Sequence, residues 1–364
     1  MGGLIMEKLT NIEELANIDT SRVNTLNFKI LHRNWKRAFA EAFVLMTTAS
    51  PGEVISIYGP SRTGKTSLLT ELTKVICGNN QSNDDEQPLV MIEIDNSGGK
   101  AAFSFKSFLQ EMLNLIKHPI YSYSIDGNWS DPVKVTRNAR TTEAVLARAL
   151  VEGLLQRKTK FWIVDEAQDM KYAGKDAMAA AGVMDAIKTL AKKANVILVI
   201  CGTYPILQSI NRSGHLENRK HDVHLARYRT SEKDLSEFLW ILSNYDAALE
   251  LDPTLGSLQN CAELLYQGSF GCIGLIRAWL YRASVHAAID GRKITLAHIH
   301  QSMKSLKQLV TSANEIKEGE KLLALEPCKI VQSIIGGAQP LTKKKSSAIP
   351  FQRKPKRYEP GNRL

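Results

Sequence analysis

No apolar run in this chain approaches the roughly 18 residues that a membrane-spanning helix needs. A membrane partner is therefore not expected. Cysteine is scarce and unpaired: Cys77, Cys201, Cys261, Cys272 and Cys328 make an odd total of five, with no C-x-x-C pair. That pattern excludes a disulfide framework and a zinc site, and points to a reducing cytoplasm. The opening Met1-Gly2-Gly3-Leu4-Ile5-Met6-Glu7 lacks the basic flank and cleavage site of a signal peptide. It also lacks the Ser or Thr at position 6 that myristoylation requires. No internal repeat is found. With 44% hydrophobic and 23% charged residues, the 364-residue chain has a globular balance and the length of about two domains.

Acidic residues are nearly missing from one segment. From Leu341 onward, Lys343, Lys344, Lys345, Arg353, Lys354, Lys356, Arg357 and Arg363 face only Glu359, so this stretch carries +7 of the net +10. Three prolines share it, and we expect a disordered basic tail, either solubilising or an arm for nucleic acid or a partner protein.

What is present is a complete phosphate-binding loop. Gly59-Pro60-Ser61-Arg62-Thr63-Gly64-Lys65-Thr66 follows an apolar strand, Val54 to Tyr58, and Ser67 continues into a helix reaching Ile76. Glycines at both ends let backbone N–H groups curl around a polyphosphate at a positive helix terminus. Lys65 would reach the β and γ phosphates, and Thr66 would hold Mg²⁺. ATP with Mg²⁺ is the expected ligand.

Around this loop the pattern alternates. An amphipathic helix is expected from Leu31 to Met46, its stripe made of Leu31, Trp35, Phe39 and Phe43 and widened by Val44 and Leu45. Strands are expected at Leu89–Ile94, Phe161–Val164 and Val196–Ile200, with helices near 105–117, 143–157 and 183–193. Thr141 or Thr142 would cap the second of these helices. Between them, 118–140 reads as a long loop bearing Lys134, Arg137 and Arg140. Strands alternating with helices predict an α/β fold, a parallel sheet flanked by helices. From about Thr230 only helices are expected. The divisions read as 1–50 lead-in and helix, 51–229 nucleotide-binding core, 230–312 helical lid, 313–340 C-terminal extension and 341–364 basic tail.

Phe161-Trp162-Ile163-Val164 ends in Asp165-Glu166. Beside a phosphate-binding loop, the first acid would serve the metal and the second would orient or deprotonate the attacking water. Thr203, closing the strand that follows, would sense the γ-phosphate. Arg219 in Leu216-Glu217-Asn218-Arg219 would complete a neighbouring subunit's site, with Arg212 as its rival. Arg277, three residues after Gly274, would report lid position.

In this order, these motifs resemble an AAA+ ATPase, and within that superfamily the transposition regulators of the TnsC/TniB type. Ile163-Val164-Asp165-Glu166-Ala167-Gln168, Gly202-Thr203 and Gly268-Ser269-Phe270-Gly271-Cys272-Ile273-Gly274 with Arg282-Ala283 carry the likeness over about residues 30–310. The family's lid often has Arg directly after the Ile-Gly pair, where Leu275 stands here; Arg277 would substitute.

The resemblance implies a bacterial cytoplasmic ATPase that forms rings or helical filaments of its own copies on double-stranded DNA. It would hand the target to a transposase, and hydrolysis would disassemble it. A TniQ-like or TnsD-like selector, with or without a CRISPR effector, is the implied further partner. Matched positions put DNA contacts at Lys100 and Thr142, and the long loop would add Arg137 and Arg140.

Three other classes share parts of this pattern. A replication-initiator-like or secretion-associated AAA+ switch would bind ATP without serving transposition. An initiator would append a winged helix, for which the residues after Val310, apolar only in patches, are too few. A small-molecule kinase would not form ATP-dependent polymers. Asp165-Glu166-Ala167 also suggests a superfamily 2 helicase, but no second RecA-like sheet is in sight.

Overall fold

Short apolar runs, each flanked by helix-forming sequence, become the strands of one sheet. The computed structural model describes residues 20, 23, 26, 28–78, 86–94, 103–122, 124–125, 129–130, 140–173, 177–211 and 220–323. Helix α1 (Arg33–Thr48) leads to β1 (Val54–Tyr58), the phosphate-binding loop and α2 (Lys65–Cys77). Then come β2 (Leu89–Glu93), α3 (Phe105–Leu115), the short strands β3 (Ser124–Ile125) and β4 (Trp129–Ser130), and α4 (Glu143–Gln156). β5 (Phe161–Asp165) passes through a 3-10 segment (Ala167–Ala173) to α5 (Ala177–Lys193), β6 (Ile197–Gly202), α6 (Pro205–Asn211) and β7 (Lys220–His224). The helices α7 (Glu232–Asp246), α8 (Ala262–Ser269), α9 (Ile273–Ile289), α10 (Leu296–Gln301) and α11 (Leu306–Leu323) complete it.

The five-stranded sheet runs β2-β5-β6-β1-β7 with every pairing parallel, as the sequence predicts. Strands buried on both faces need helices on both sides. Val54, Val90, Trp162, Leu198 and Ile200 pack under α3, α4 and α5, while Ile55, Ile57, Ile163 and Val199 pack under α1 and α2. A separate apolar cluster holds the helical region together, with Phe238, Ile241, Leu258, Leu265, Ile276 and Trp279 inside it. Parallel register places Tyr58 opposite Gly202 and Val164 opposite Ile200. The ends of β1, β5 and β6 therefore meet at one edge, and the loops that follow them share a site.

Some expectations need correction. α1 buries Trp35, Ala38, Ala42 and Met46, whereas Leu31 and Val44 are about half exposed. Phe39, Phe43 and Leu45 of the expected stripe do pack against the core beside Trp35, and the small alanines between them let the helix backbone lie close to the sheet. Within the long loop, Ser124–Ile125 pairs antiparallel with Trp129–Ser130. The later region is not purely helical, since Leu251 and Ile294 form a parallel bridge. α11 runs unbroken through the division expected at 312/313.

The chain divides into a unit of residues 1–320 and one of 321–364. Of the second, only Lys321–Leu323 are described, and the basic tail lies outside the described residues. No helix among the described residues is long and apolar enough to cross a membrane.

Candidate functional site

The loop between β1 and α2 turns sharply at Gly64, which caps α2 at φ 99°, a left-handed conformation that glycine takes without strain. With no side chain capping α2, its first N–H groups remain available to an anion. Lys65 opens the helix and is buried, its Nζ donating to the carbonyls of Gly59 at 3.2 Å and Pro60 at 2.8 Å. The loop thus folds around its own cation. Thr63 Oγ1 donates to Pro60 O at 2.9 Å and stiffens the turn.

Across the sheet edge, Thr66 Oγ1 donates to Asp165 Oδ2 at 2.9 Å, while the Glu166 N–H donates to Asp165 Oδ1 at 2.8 Å. Asp165 is almost fully buried, and Glu166 adopts φ 52°. This brings the expected metal pair together. Mg²⁺ commonly takes one or two protein oxygens and completes its shell with water and phosphate oxygens. The hard oxygens of Thr66 and Asp165 fit that role. Among the described residues, no group of three or more His, Cys, Asp or Glu could hold a metal by itself. Burial, then the Asp165 carboxylate, pushes the neighbouring Cys201 thiol well above its ordinary range, so Cys201 is a core side chain and not a nucleophile.

A cavity of about 740 Å³ opens over the loop. Ser61, Arg62, Gly64, Lys65, Thr66 and Ser67 form its floor, and Glu166 and Thr203 its sheet-side wall. The far wall comes from α9, through Gly274, Arg277, Ala278 and Tyr281, with Leu26 closing one side. Arg277 Nε donates to the Leu26 carbonyl at 3.1 Å. The Gly274 N–H donates to the Arg62 carbonyl at 2.9 Å, so α9 begins directly on the phosphate-binding loop. A further carboxylate reaches the loop from α11, where Glu315 Oε1 accepts the Ser61 N–H at 3.1 Å.

Of the residues expected from sequence, Lys65, Thr66, Asp165, Glu166, Thr203 and Arg277 therefore converge. Thr142 is the N-cap of α4, its side chain making no capping hydrogen bond, and Arg140 two residues before it is exposed; neither lines the cavity. Arg219, Arg212, Lys100, Lys134 and Arg137 lie outside the described residues. Sequence reasoning missed Leu26, Tyr281 and Glu315. Tyr281 lies one helical turn beyond Arg277 and could have been found by that spacing. Glu315 and Leu26 carry no local signal.

Residues 48–210 match the model of a family described as an AAA domain. Two solved structures are similar over most of their length. The Aeropyrum pernix ORC2 protein in its ADP form has a TM-score of 0.52 at 15% identity, covering 78% of this chain and 72% of that one. The Aeropyrum pernix ORC1 protein in complex with DNA has a TM-score of 0.52 at 12% identity, covering 78% of this chain and 68% of that one. A Walker-type ATPase of Pyrococcus abyssi matches at TM-score 0.47 and 13% identity, over 82% of this chain and 79% of that one. No curated protein matches the sequence. The family match, the parallel sheet and the two ORC structures establish a P-loop AAA+ fold.

Proposed function

We propose that this protein is an ATPase that assembles on double-stranded DNA and regulates transposition, with hydrolysis ending the assembly. The observation that carries the ATPase reading is the convergence of Lys65, Thr66–Asp165, Glu166, Thr203 and Arg277 at one cavity over a helix N-terminus. Lys65 would exchange its two loop carbonyls for β- and γ-phosphate oxygens. Thr66 and Asp165 would hold Mg²⁺, which neutralises phosphate charge when bound. Glu166 would accept a proton from the attacking water, and Thr203 would orient the γ-phosphate end of the site. Arg277 would stabilise negative charge from the helical side. Arg219, supplied by a neighbouring copy, would complete the site in the assembly.

The DNA role rests on the order of motifs, Gly59 to Lys65 through Asp165-Glu166 to the Phe-x-x-Ile-Gly turn of the lid, and on the +7 carried by residues 341–364. Lys100, Thr142, Arg137 and Arg140 would meet phosphates without reading sequence. A transposase and a TniQ-like or TnsD-like selector are the proposed protein partners. The alternative, a DNA-associated AAA+ switch of replication-initiator type, draws on the fold shared with the Aeropyrum pernix ORC1 protein, which was solved with DNA.

Electron microscopy with double-stranded DNA tests the proposal, comparing ATP, a non-hydrolysable analogue and ADP. Rings or filaments enclosing DNA with the triphosphates, and none for Lys65→Ala, are expected. Nucleotide binding without DNA-dependent assembly would overturn the transposition reading and leave the other switch.

A further inference from the structure

Two residues past Glu166, Gln168 stands in the first turn of the 3-10 segment that follows β5. Its Oε1 accepts the Thr203 backbone N–H at 2.9 Å, and its Nε2 donates to Glu166 Oε2. The direction of the amide is fixed by its partners. A backbone N–H only donates, so the amide oxygen must face Thr203, which leaves the NH₂ group facing a carboxylate. One neutral side chain thereby spans the ends of β5 and β6, the two strands that supply Glu166 and Thr203.

Two further features belong to this bridge. A Cβ at Gly202 would lie 2.5 Å from Gln168 Oε1 and 2.8 Å from Ile206 Cγ2, so β6 ends in a glycine where the amide needs room. Glu166 also holds φ 52°, a conformation that an L residue keeps only when its surroundings fix it. Its N–H is held by Asp165 Oδ1 and its carboxylate by Gln168. The main chain and the side chain of Glu166 are each tied down from a different direction.

We propose that Gln168 is a positioning residue for Glu166. It holds the carboxylate by one oxygen, leaves the other for water in the nucleotide cavity, and ties the carboxylate's place to the backbone at Thr203. The inference rests on the reading of Glu166 as general base. Gln168 does not line the nucleotide cavity, so its loss should act on turnover and not on nucleotide affinity. Removing a hydrogen bond to a charged group of this kind should lower kcat roughly 10- to 100-fold.

The experiment uses the full chain with MgATP and double-stranded DNA. It measures kcat, KM and the affinity of a fluorescent ATP analogue for the wild type, Gln168→Ala, Gln168→Leu, Glu166→Gln and the double variant Glu166→Gln/Gln168→Ala. Both single Gln168 variants should lose kcat by roughly 10- to 100-fold with affinity held within about twofold. On the Glu166→Gln background, Gln168→Ala should change the residual rate by less than about twofold, because a residue acting only through Glu166 has nothing left to position. Wild-type kcat in Gln168→Ala would overturn the proposal, as would affinity falling with the rate, or a full independent loss on the Glu166→Gln background. Wild-type turnover in Glu166→Gln would overturn the general-base reading itself, whereas an inactive Glu166→Gln beside a normal Gln168→Ala overturns only the role of Gln168.

Discussion

His32 makes the stability of this fold depend on pH in a window that can be worked out. It is the N-cap of α1, and its Nδ1 accepts the Trp35 N–H at 3.3 Å. The same nitrogen lies 3.0 Å from the Tyr228 hydroxyl, which must then donate to it. A proton on Nδ1 would face the Trp35 N–H and force the Tyr228 hydroxyl to turn from donor to acceptor. Burial, reinforced by the Arg33 charge, lowers the His32 pKa from 6.5 to about 4. The folded value lies below the unfolded one, so the unfolded chain takes up the proton first. The stabilising contribution is therefore complete above the unfolded value and is lost as pH falls from there towards the folded one. Linkage over that interval gives a loss of about 2 kcal/mol between pH 7 and pH 5. Urea unfolding at both pH values measures it, with His32→Asn as the comparison, since Asn caps a helix without titrating. Burial also lowers the pKa of His118 and His224, but these act equally in both proteins. The pH 7 to pH 5 difference should shrink by about 2 kcal/mol in His32→Asn. An equal difference in the two proteins would refute the assignment.

Gly274→Ala should destabilise the contact between α9 and the phosphate-binding loop, because the new Cβ would sit 2.3 Å from the Arg62 carbonyl oxygen. Overpacking and the strained hydrogen bond together predict roughly 2–4 kcal/mol in denaturant unfolding, and unchanged stability would refute the packing argument. Glu320 makes a two-pronged bond to Arg227, at 2.8 and 3.0 Å, with both side chains about one-fifth exposed. Glu320→Ala should cost roughly 1–3 kcal/mol, while Arg229→Ala, at an exposed pair 3.5 Å long, should cost less than about 0.5 kcal/mol; the reverse order would refute the ranking.

The sheet is legible because buried parallel strands read as continuous apolar runs, and the run Val54–Tyr58 coincides with β1 residue for residue. β7 is not, since in Lys220–His224 only Val223 is fully buried and the strand carries no continuous apolar run. On α1 the aromatic stripe of Trp35, Phe39 and Phe43 is legible by its size, whereas Ala38 and Ala42, which permit close approach, are too small to stand out in the sequence. The phosphate-binding loop and Asp165-Glu166 were legible because their chemistry is local. Gln168 stood in plain view two residues from Glu166, but its meaning depends on Thr203, which only strand pairing brings near. Glu315 reaches Ser61 across 254 residues, and no spacing rule could have joined them.

That long separation has an energetic consequence. The nucleotide cavity has its floor on the loop after β1, one wall at the ends of β5 and β6, and another on α9. α9 is fastened to the floor by Gly274 and Arg62, and to the chain after β7 by the Tyr228 N–H bond to the Gly271 carbonyl at 3.0 Å and the Arg227 bond to the Phe270 carbonyl at 3.1 Å. α11 fastens to the same places, through Glu315 on Ser61 and Glu320 on Arg227. A ligand that needs all these walls binds only when the helices are docked on the loop. Binding and docking then stabilise each other by the same amount. Gly274→Ala should thus weaken nucleotide affinity although it removes no atom from the cavity. Saturating nucleotide, at about 100 times its Kd, should add roughly 2.7 kcal/mol to the stability of the docked state. A variant that lost stability at this contact yet bound nucleotide as tightly as the wild type would show that the α9 wall takes no part in holding the ligand.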